Sequence, residues 1–258
     1  MSVSYQADSG IGQITLDRPQ RMNAVSVDLA TKLEKALTEL GADPAVNVIV
    51  IRGAGGNFSA GGDFGEVERL RAEGAPALKG LFTAFRAACD AIGAVEVPVI
   101  AAVQGVAAAG GFELMQAADI VLVSDTASIA DSHVKFGMVP GGGSSARLPR
   151  LVGRQQALGL LLSGDRITGA DAAALGLAYR AYPDSEFDTA VAQFAQQLAG
   201  RNRQSVVTIK RLVRSGFERD LPEALDAEID AVVAHIIGEA GAGSVEQFEK
   251  RDHRRTRA

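Results

Sequence analysis

Apolar positions along this chain follow two rhythms, a period of about two and a period of about three and a half. Residues 3–16 read as two short strands around the turn Asp8-Ser9-Gly10, ended by Arg18-Pro19. Ser26 is placed to cap an amphipathic helix in which Leu29, Leu33, Leu37 and Leu40 share one face, closed by Gly41 and Pro44. The β-branched run Val48-Ile49-Val50-Ile51 predicts a buried strand over 46–51. A variable stretch through Gly74-Ala75-Pro76, given no element, leads to a helix over 77–93, a strand over 97–103, a helix over 110–117 and a strand over 119–123. A strand over 127–130, a short segment at 133–136 and a glycine-rich turn after Pro140 follow. Helical patterns at 153–162 and 170–175 precede a last strand over 177–182, and from Phe187 onward everything reads as helix. This succession predicts an α/β fold over 1–199 with a helical extension over 200–258. In that extension Leu212, Phe217, Leu221, Leu225, Ile229, Val232, Val233 and Ile236 offer more apolar surface than a lone extension can hide, and subunit association is its natural outlet.

Two glycine turns punctuate the strands. Ser59-Ala60-Gly61-Gly62-Asp63 comes after the strand over 46–51, and Ala108-Ala109-Gly110-Gly111-Phe112-Glu113 follows Val99-Ile100-Ala101-Ala102-Val103 and opens onto a helix. Glycine there lets backbone approach a ligand and leaves an N–H free to point into a cleft. Two such donors converging on one oxygen form an oxyanion hole, reinforced by the positive end of the helix starting near Gly110. Taken singly, either turn is equally a permissive loop; the pairing favours the hole. Other glycine signals fail their tests. Gly53-Ala54-Gly55-Gly56 has Phe58 where a dinucleotide fingerprint needs its third glycine, and Gly141-Gly142-Gly143 lacks the Lys-Ser/Thr of a nucleotide-binding P-loop.

Composition narrows the classes. The 258 residues are 47% hydrophobic with a net charge of -5, and no apolar run approaches the roughly 20 residues that span a bilayer. The start Met1-Ser2-Val3-Ser4-Tyr5 has neither the basic cap nor the apolar core of a signal peptide, so the expected location is cytoplasmic. The single cysteine, Cys89, agrees with a reducing compartment and reads as a small buried apolar residue. An acidic balance argues against nucleic acid as the main partner. The basic tail around Lys250, Arg251, Arg254 and Arg255 could meet a phosphorylated ligand, but composition alone favours a solvated, frayed end. No His, Cys and Asp cluster has metal-ligand spacing, and no metal is expected.

In order along the chain stand Asp17-Arg18-Pro19 with Asn23-Ala24, Phe58-Ser59-Ala60-Gly61-Gly62-Asp63, Pro98-Val99-Ile100-Ala101-Ala102-Val103-Gln104-Gly105, Ala109-Gly110-Gly111-Phe112-Glu113-Leu114 with Asp119, Gly137-Met138-Val139-Pro140-Gly141, and Arg147-Leu148-Pro149-Arg150-Leu151-Val152-Gly153. In this order and spacing the chain resembles the crotonase superfamily, the enoyl-CoA hydratase/isomerase group, over essentially its whole length. The resemblance implies a crotonase-like spiral of ββα units over 1–199 and a C-terminal helical trimerisation region over 200–258. It implies a homotrimer or a dimer of trimers acting on an acyl-CoA thioester, with coenzyme A as part of the substrate and no separate cofactor. Carried over by position, it places the oxyanion donors on the N–H groups of Gly62 and Gly110 and a catalytic glutamate on Glu113. Coenzyme A contacts fall on Arg21 and on Ala60 to Asp63, and a basic residue near Lys250 is expected to reach a neighbouring subunit's CoA phosphate.

One departure matters. Hydratases of this group place a second glutamate four residues before the glycine of the Gly-x-x-Pro-Gly turn, and that position here is His133. A neutral histidine can accept a proton from water and an imidazolium can return one. Protonated beside an ionised Glu113, His133 is expected to lower the glutamate's pKa while its own rises. Asp131, two residues earlier, is expected to share His133's face on a strand-like backbone without being forced against it. The leading expectation is therefore hydration of a 2-enoyl-CoA by a Glu113/His133 pair. The same hole also serves double-bond isomerisation, or hydrolytic C–C cleavage of β-diketone type, although Gly142 stands where such hydrolases look to carry an aspartate. A non-catalytic binding protein on the same scaffold is the alternative from another class.

Overall fold

The computed structural model describes residues 2–238 and 241. The chain divides into two compact units, the first Met1–Ala199 and the second beginning at Gly200. Among the described residues, no helix is long and apolar enough to cross a membrane.

The first unit is built on a mixed sheet. The hairpin β1 (Val3–Asp8) and β2 (Ile11–Leu16) is antiparallel, and β3 (Val48–Gly53), β4 (Val99–Val103), β6 (Ile120–Ser124) and β8 (Arg180–Tyr182) join in parallel, in the order β1-β2-β3-β4-β6-β8. Side chains alternate across it, as a pleat requires. Ile49, Ile51, Val99 and Val103 enter the larger core beneath α1 (Val27–Ala42) and α3 (Ala75–Ala94), while Val48, Val50, Ile100, Ala102 and Leu122 meet Phe187, Val191 and Ala195 of α7 (Phe187–Ala199). A strand buried on both faces reads as an unbroken β-branched run, which is what 48–51 shows.

A second, shorter row of pairings runs beside the sheet. Strands β5 (Val106–Ala108) and β7 (Ser128–Ala130) are parallel, Ser59 bridges to Ala107, and Val25 bridges to Gly62. The β3, β4 and β6 turns of chain thus each add one long strand and one short one. Helices α4 (Gly110–Ala117), α5 (Ser144–Ser163) and α6 (Gly169–Ala174) complete the unit, with Gly153 (φ 79) breaking α5 into two helical pieces.

Several element bounds differ from the sequence reading. Val46 and Val97 are buried but precede their strands, which begin at Val48 and Val99, and Leu177 and Ala178 are core residues that precede β8. The stretch after Asp63 is a helix, α2 (Phe64–Glu73), capped by the Asp63 side chain through the Glu66 N–H. It buries only Leu70, so hydrophobic periodicity gave no sign of it, whereas Asp63-x-x-Glu66 is a helix-start signature.

In the second unit α8 (Arg203–Gly216) and α9 (Leu221–Ile237) pack against each other, and Ser205 Oγ meets His235 Nε2 at 3.2 Å. Phe217, Leu221, Leu225, Ile229, Val232, Val233 and Ile236 are exposed.

Candidate active site

The short row of pairings brings the two glycine turns together. Ser59 N–H donates to Val106 O (3.0 Å) and Ala108 N–H to Ser59 O (2.9 Å), while Ala107 pairs with Ile129 on the other side. Segments 60–63, 109–113 and 131–133 therefore leave the same ends of three adjacent parallel strands, the place where α/β sheets hold ligands. The turns touch backbone to backbone. A Cβ built on Gly61 would lie 3.1 Å from Gly110 N, and one on Gly110 would lie 3.6 Å from Gly62 N.

Neither the Gly62 nor the Gly110 amide has a protein acceptor among the described residues. Gly110 opens α4, so its N–H has no partner within the helix and carries part of the positive end of the helix dipole. The residue before it, Ala109, sits at φ 47 and ψ −116, a conformation that costs a side-chain-bearing residue about 1–3 kcal/mol. Its N–H to Ala130 O (3.0 Å) helps hold it there.

Glu113 lies in the first turn of α4, a helix buried at every position. Its Oε1 accepts the N–H groups of Gly142 (2.7 Å) and Ser144 (3.2 Å), which fixes the carboxylate and leaves Oε2 facing His133 Nε2 at 3.9 Å. Arg147 steadies the supporting turn by donating to Gly142 O at 2.6 Å. A Cβ at position 142 would meet Phe85 at 2.2 Å and Glu113 Oε2 at 2.8 Å, so a side chain there would have to push both aside.

The titration of the pair agrees with expectation at His133 and departs from it at Glu113. Burial raises the Glu113 pKa, outweighing the lowering by the Ser144 N–H, the His133 charge and the Gly142 N–H, so the expected downward shift is corrected. For His133, burial acts downward and is the largest single influence. The hydrogen bond to Asp131, with the charges of Asp131 and Glu113, outweighs it and raises the pKa. Asp131 is a second correction. The chain leaves the extended conformation at Ser132 (φ −94, ψ 2) and enters a 3₁₀ turn, His133–Phe136, so Asp131 is folded back onto His133, with Oδ1 2.7 Å from Nδ1.

Gly62, Gly110, Glu113 and His133 line one cavity of about 660 Å³, together with Arg21, Ala60 and Asp63. Arg21 is exposed at its edge. Asp63 is engaged elsewhere: its carboxylate pairs with Arg18 at 2.7 Å and caps α2. Burial opposes ionisation of Asp63, but the Arg18 hydrogen bond, the Glu66 N–H and nearby cations hold its pKa below the usual value. Lys250 lies outside the described residues. The sequence reading missed Lys135, Phe136 and Arg166, which also line the cavity, and Phe64, whose ring meets Phe136 edge-on at 5.7 Å. Among the described residues no group of three or more His, Cys, Asp or Glu side chains is placed to hold a metal ion. Cys89 is buried, and burial pushes its thiol up to about 12, as befits a packing residue.

Comparison with known proteins decides the family. Residues 6–255 match the profile of the enoyl-CoA hydratase/isomerase family. The chain belongs to the enoyl-CoA hydratase/isomerase family. It is 34% identical over 225 residues to a Mycobacterium bovis protein named "Probable enoyl-CoA hydratase echA8", covering 87% of this chain and 85% of that one. It is likewise 34% identical over 218 residues to the mitochondrial enoyl-CoA hydratase of Pongo abelii, covering 84% of this chain and 73% of that one. The crystal structure of an enoyl-CoA hydratase from Polaromonas sp. JS666 superposes with a TM-score of 0.93 at 27% identity, over 96% of this chain and 97% of that one. The α/β spiral expected from the sequence is thus the fold of solved family members, and the protein is an enzyme of the hydratase/isomerase type.

Proposed function

We propose that this enzyme adds water across the double bond of a 2-enoyl-CoA. The observation that carries the reading is one cavity lined by Gly62 and Gly110, whose amides are unpaired, and by Glu113 and His133, whose Oε2 and Nε2 face each other. The thioester oxygen sits between the two amides, where charge that develops during reaction is stabilised without reorganisation. The separation of 3.9 Å is too long for a direct Glu113–His133 hydrogen bond and puts both groups within reach of one water. Glu113 Oε2 takes that water's proton as its oxygen bonds to the β-carbon. The π electrons move through the α-carbon onto the thioester oxygen. Collapse of this enolate returns a proton to the α-carbon from the newly formed carboxylic acid or the imidazolium, completing addition of one water.

Coenzyme A is part of the substrate, with Arg21 and the backbone from Ala60 to Asp63 proposed along its path. The exposed apolar residues of α9 are proposed to join copies of the chain into a trimer or a dimer of trimers. Isomerisation needs the same hole and Glu113 alone. The β-diketone hydrolase reading loses ground, because position 142 carries no carboxylate and a Cβ there would crowd Phe85 and Glu113.

Loss of the conjugated absorbance of crotonyl-CoA on adding enzyme tests hydration; no loss over a range of enoyl chain lengths contradicts it. His133→Ala is expected to reduce turnover by roughly 10²- to 10⁴-fold, the scale of losing a general acid or base. Unchanged turnover removes His133 from the mechanism. The pH profile of kcat/KM is expected to be bell-shaped. Its rising limb, ionisation of the pair's carboxyl, lies above the ordinary glutamate value of 4.5, and its falling limb, loss of the imidazolium proton, lies above 6.5. Both limbs belong to the coupled pair rather than to either residue alone. A falling limb below 6.5 contradicts the charge assigned to His133.

A further inference from the structure

We propose that Asp131 is a positioning residue for the reaction: it fixes the His133 ring, keeps Nδ1 protonated and presents Nε2–H to Glu113 and the cavity. Three observations carry this. Asp131 is 1% exposed, and its Oδ1 accepts the His133 main-chain N–H (3.3 Å) and lies 2.7 Å from the ring Nδ1. Its Oδ2 is buried with no hydrogen-bond partner, and among the described residues His133 is the one basic side chain within ion-pair distance of the carboxylate. A buried carboxylate so sparsely satisfied is costly unless its charge is matched, so it favours a positive ring beside it. Finally, Asp131 directly follows β7, whose last residue, Ala130, accepts the Ala109 N–H that helps hold the turn into Gly110. The orienting carboxylate and one oxyanion donor are thus set by the same pair of short strands.

The consequence is a division of labour. With Nδ1–H held by Asp131 and Nε2–H facing Glu113 Oε2, the ring is a donor on both sides and cannot take the water's proton. Glu113 is then the sole base, and His133 holds the water's oxygen and supports the charge of the carboxylate. The charged groups around the ring agree. Glu113 comes from α4 and Asp131 from the end of β7. Lys135 on His133's own turn and Arg166 from the segment before α6 line the same cavity, as do Arg21 and Asp63 from the first glycine turn and its approach. Of these, the groups in ion-pair reach of the ring are the two carboxylates.

The kinetic consequence rests on the hydration reading, but the primary test does not. The chain has three histidines, so the ¹⁵N imidazole signals of labelled enzyme can be assigned to His133 by comparison with His133→Gln. The expected result is an Nδ1 that stays protonated through the titration, with a midpoint above 6.5 in the parent enzyme and a lower midpoint in Asp131→Asn. With crotonyl-CoA, Asp131→Asn should lower kcat by roughly 10²-fold or more with KM changed less than about threefold, and Asp131→Glu should restore part of the loss. A neutral His133 in the parent enzyme carrying its proton on Nε2 overturns the proposal, even if Asp131→Asn fails to fold. So does an unchanged titration in a folded Asp131→Asn. An enzyme inactive on every enoyl-CoA but showing the expected titration contradicts the hydration reading and upholds the role of Asp131.

Discussion

Glu113→Gln is expected to lower kcat by about 10³-fold or more while leaving the protein at least as stable as the parent at neutral pH. Glutamine keeps the size of the side chain, and its carbonyl oxygen can still accept from the Gly142 and Ser144 N–H groups that hold Oε1 at 2.7 and 3.2 Å. What is lost is the basic Oε2. In the proposed reaction the same carboxylate takes the water's proton and can return one to the α-carbon, so its removal affects both halves of the addition. The stability side follows from the raised pKa, whose main cause is burial. A carboxyl with a folded pKa above its unfolded value contributes stability that is fully present below the unfolded pKa and lost as pH rises through the folded one. Neutral glutamine has no such loss, so the variant's thermal midpoint relative to the parent should improve from pH 4 to pH 8. Measuring kcat with crotonyl-CoA and melting curves at the two pH values checks both halves. A variant that keeps its activity removes Glu113 from the chemistry; one that melts progressively lower than the parent as pH rises contradicts the titration assigned to it.

Gly111→Ala is expected to damage the site through the backbone. A Cβ there would stand 2.1 Å from Ser59 O, 2.8 Å from Ser59 C and 2.9 Å from Ser59 Cβ. Ser59 cannot yield cheaply: it is fully buried, its carbonyl accepts the Ala108 N–H at 2.9 Å and its hydroxyl donates to Asn23 O at 2.9 Å. The methyl group must therefore push the two glycine turns apart. We expect about 1–3 kcal/mol of destabilisation from overpacking and a fall in kcat of about 10²-fold or more, comparable to loss of one oxyanion donor. Gly80→Ala in α3 is the control. Nothing lies within 4 Å of a Cβ there, the site is an exposed helix position, and stability should hold or rise by about 0.5–1 kcal/mol with activity intact. Denaturant unfolding and crotonyl-CoA kinetics on the two variants distinguish a registered pair of turns from two independent loops.

The glycine turns were legible in the sequence because strand-end glycines carry a backbone meaning wherever they occur. The helix over 110–117 was legible because its start coincides with the second turn. What joins the turns was not legible. Ser59 pairs with Ala107 and Ala107 with Ile129, contacts between short segments with no alternation long enough to reveal register. Asp131 shows a different limit. Extended backbone over 131–133 puts residues i and i+2 on one face, but the chain turns at Ser132, so the carboxylate meets the ring head-on. Glu113's titration was also out of reach, since a nearby cation can be guessed from sequence while the depth of burial that outweighs it cannot. Asp63 has a further role, unread in the sequence for a local reason: its side chain caps a helix too polar to announce itself.

The most direct test is a crystal structure of Glu113→Gln with a 2-enoyl-CoA bound. The thioester oxygen should lie about 2.7–3.1 Å from both Gly62 N and Gly110 N, with the β-carbon beside residue 113. An acyl group whose carbonyl is held by any other donors, with those two amides turned away from it, would contradict the account.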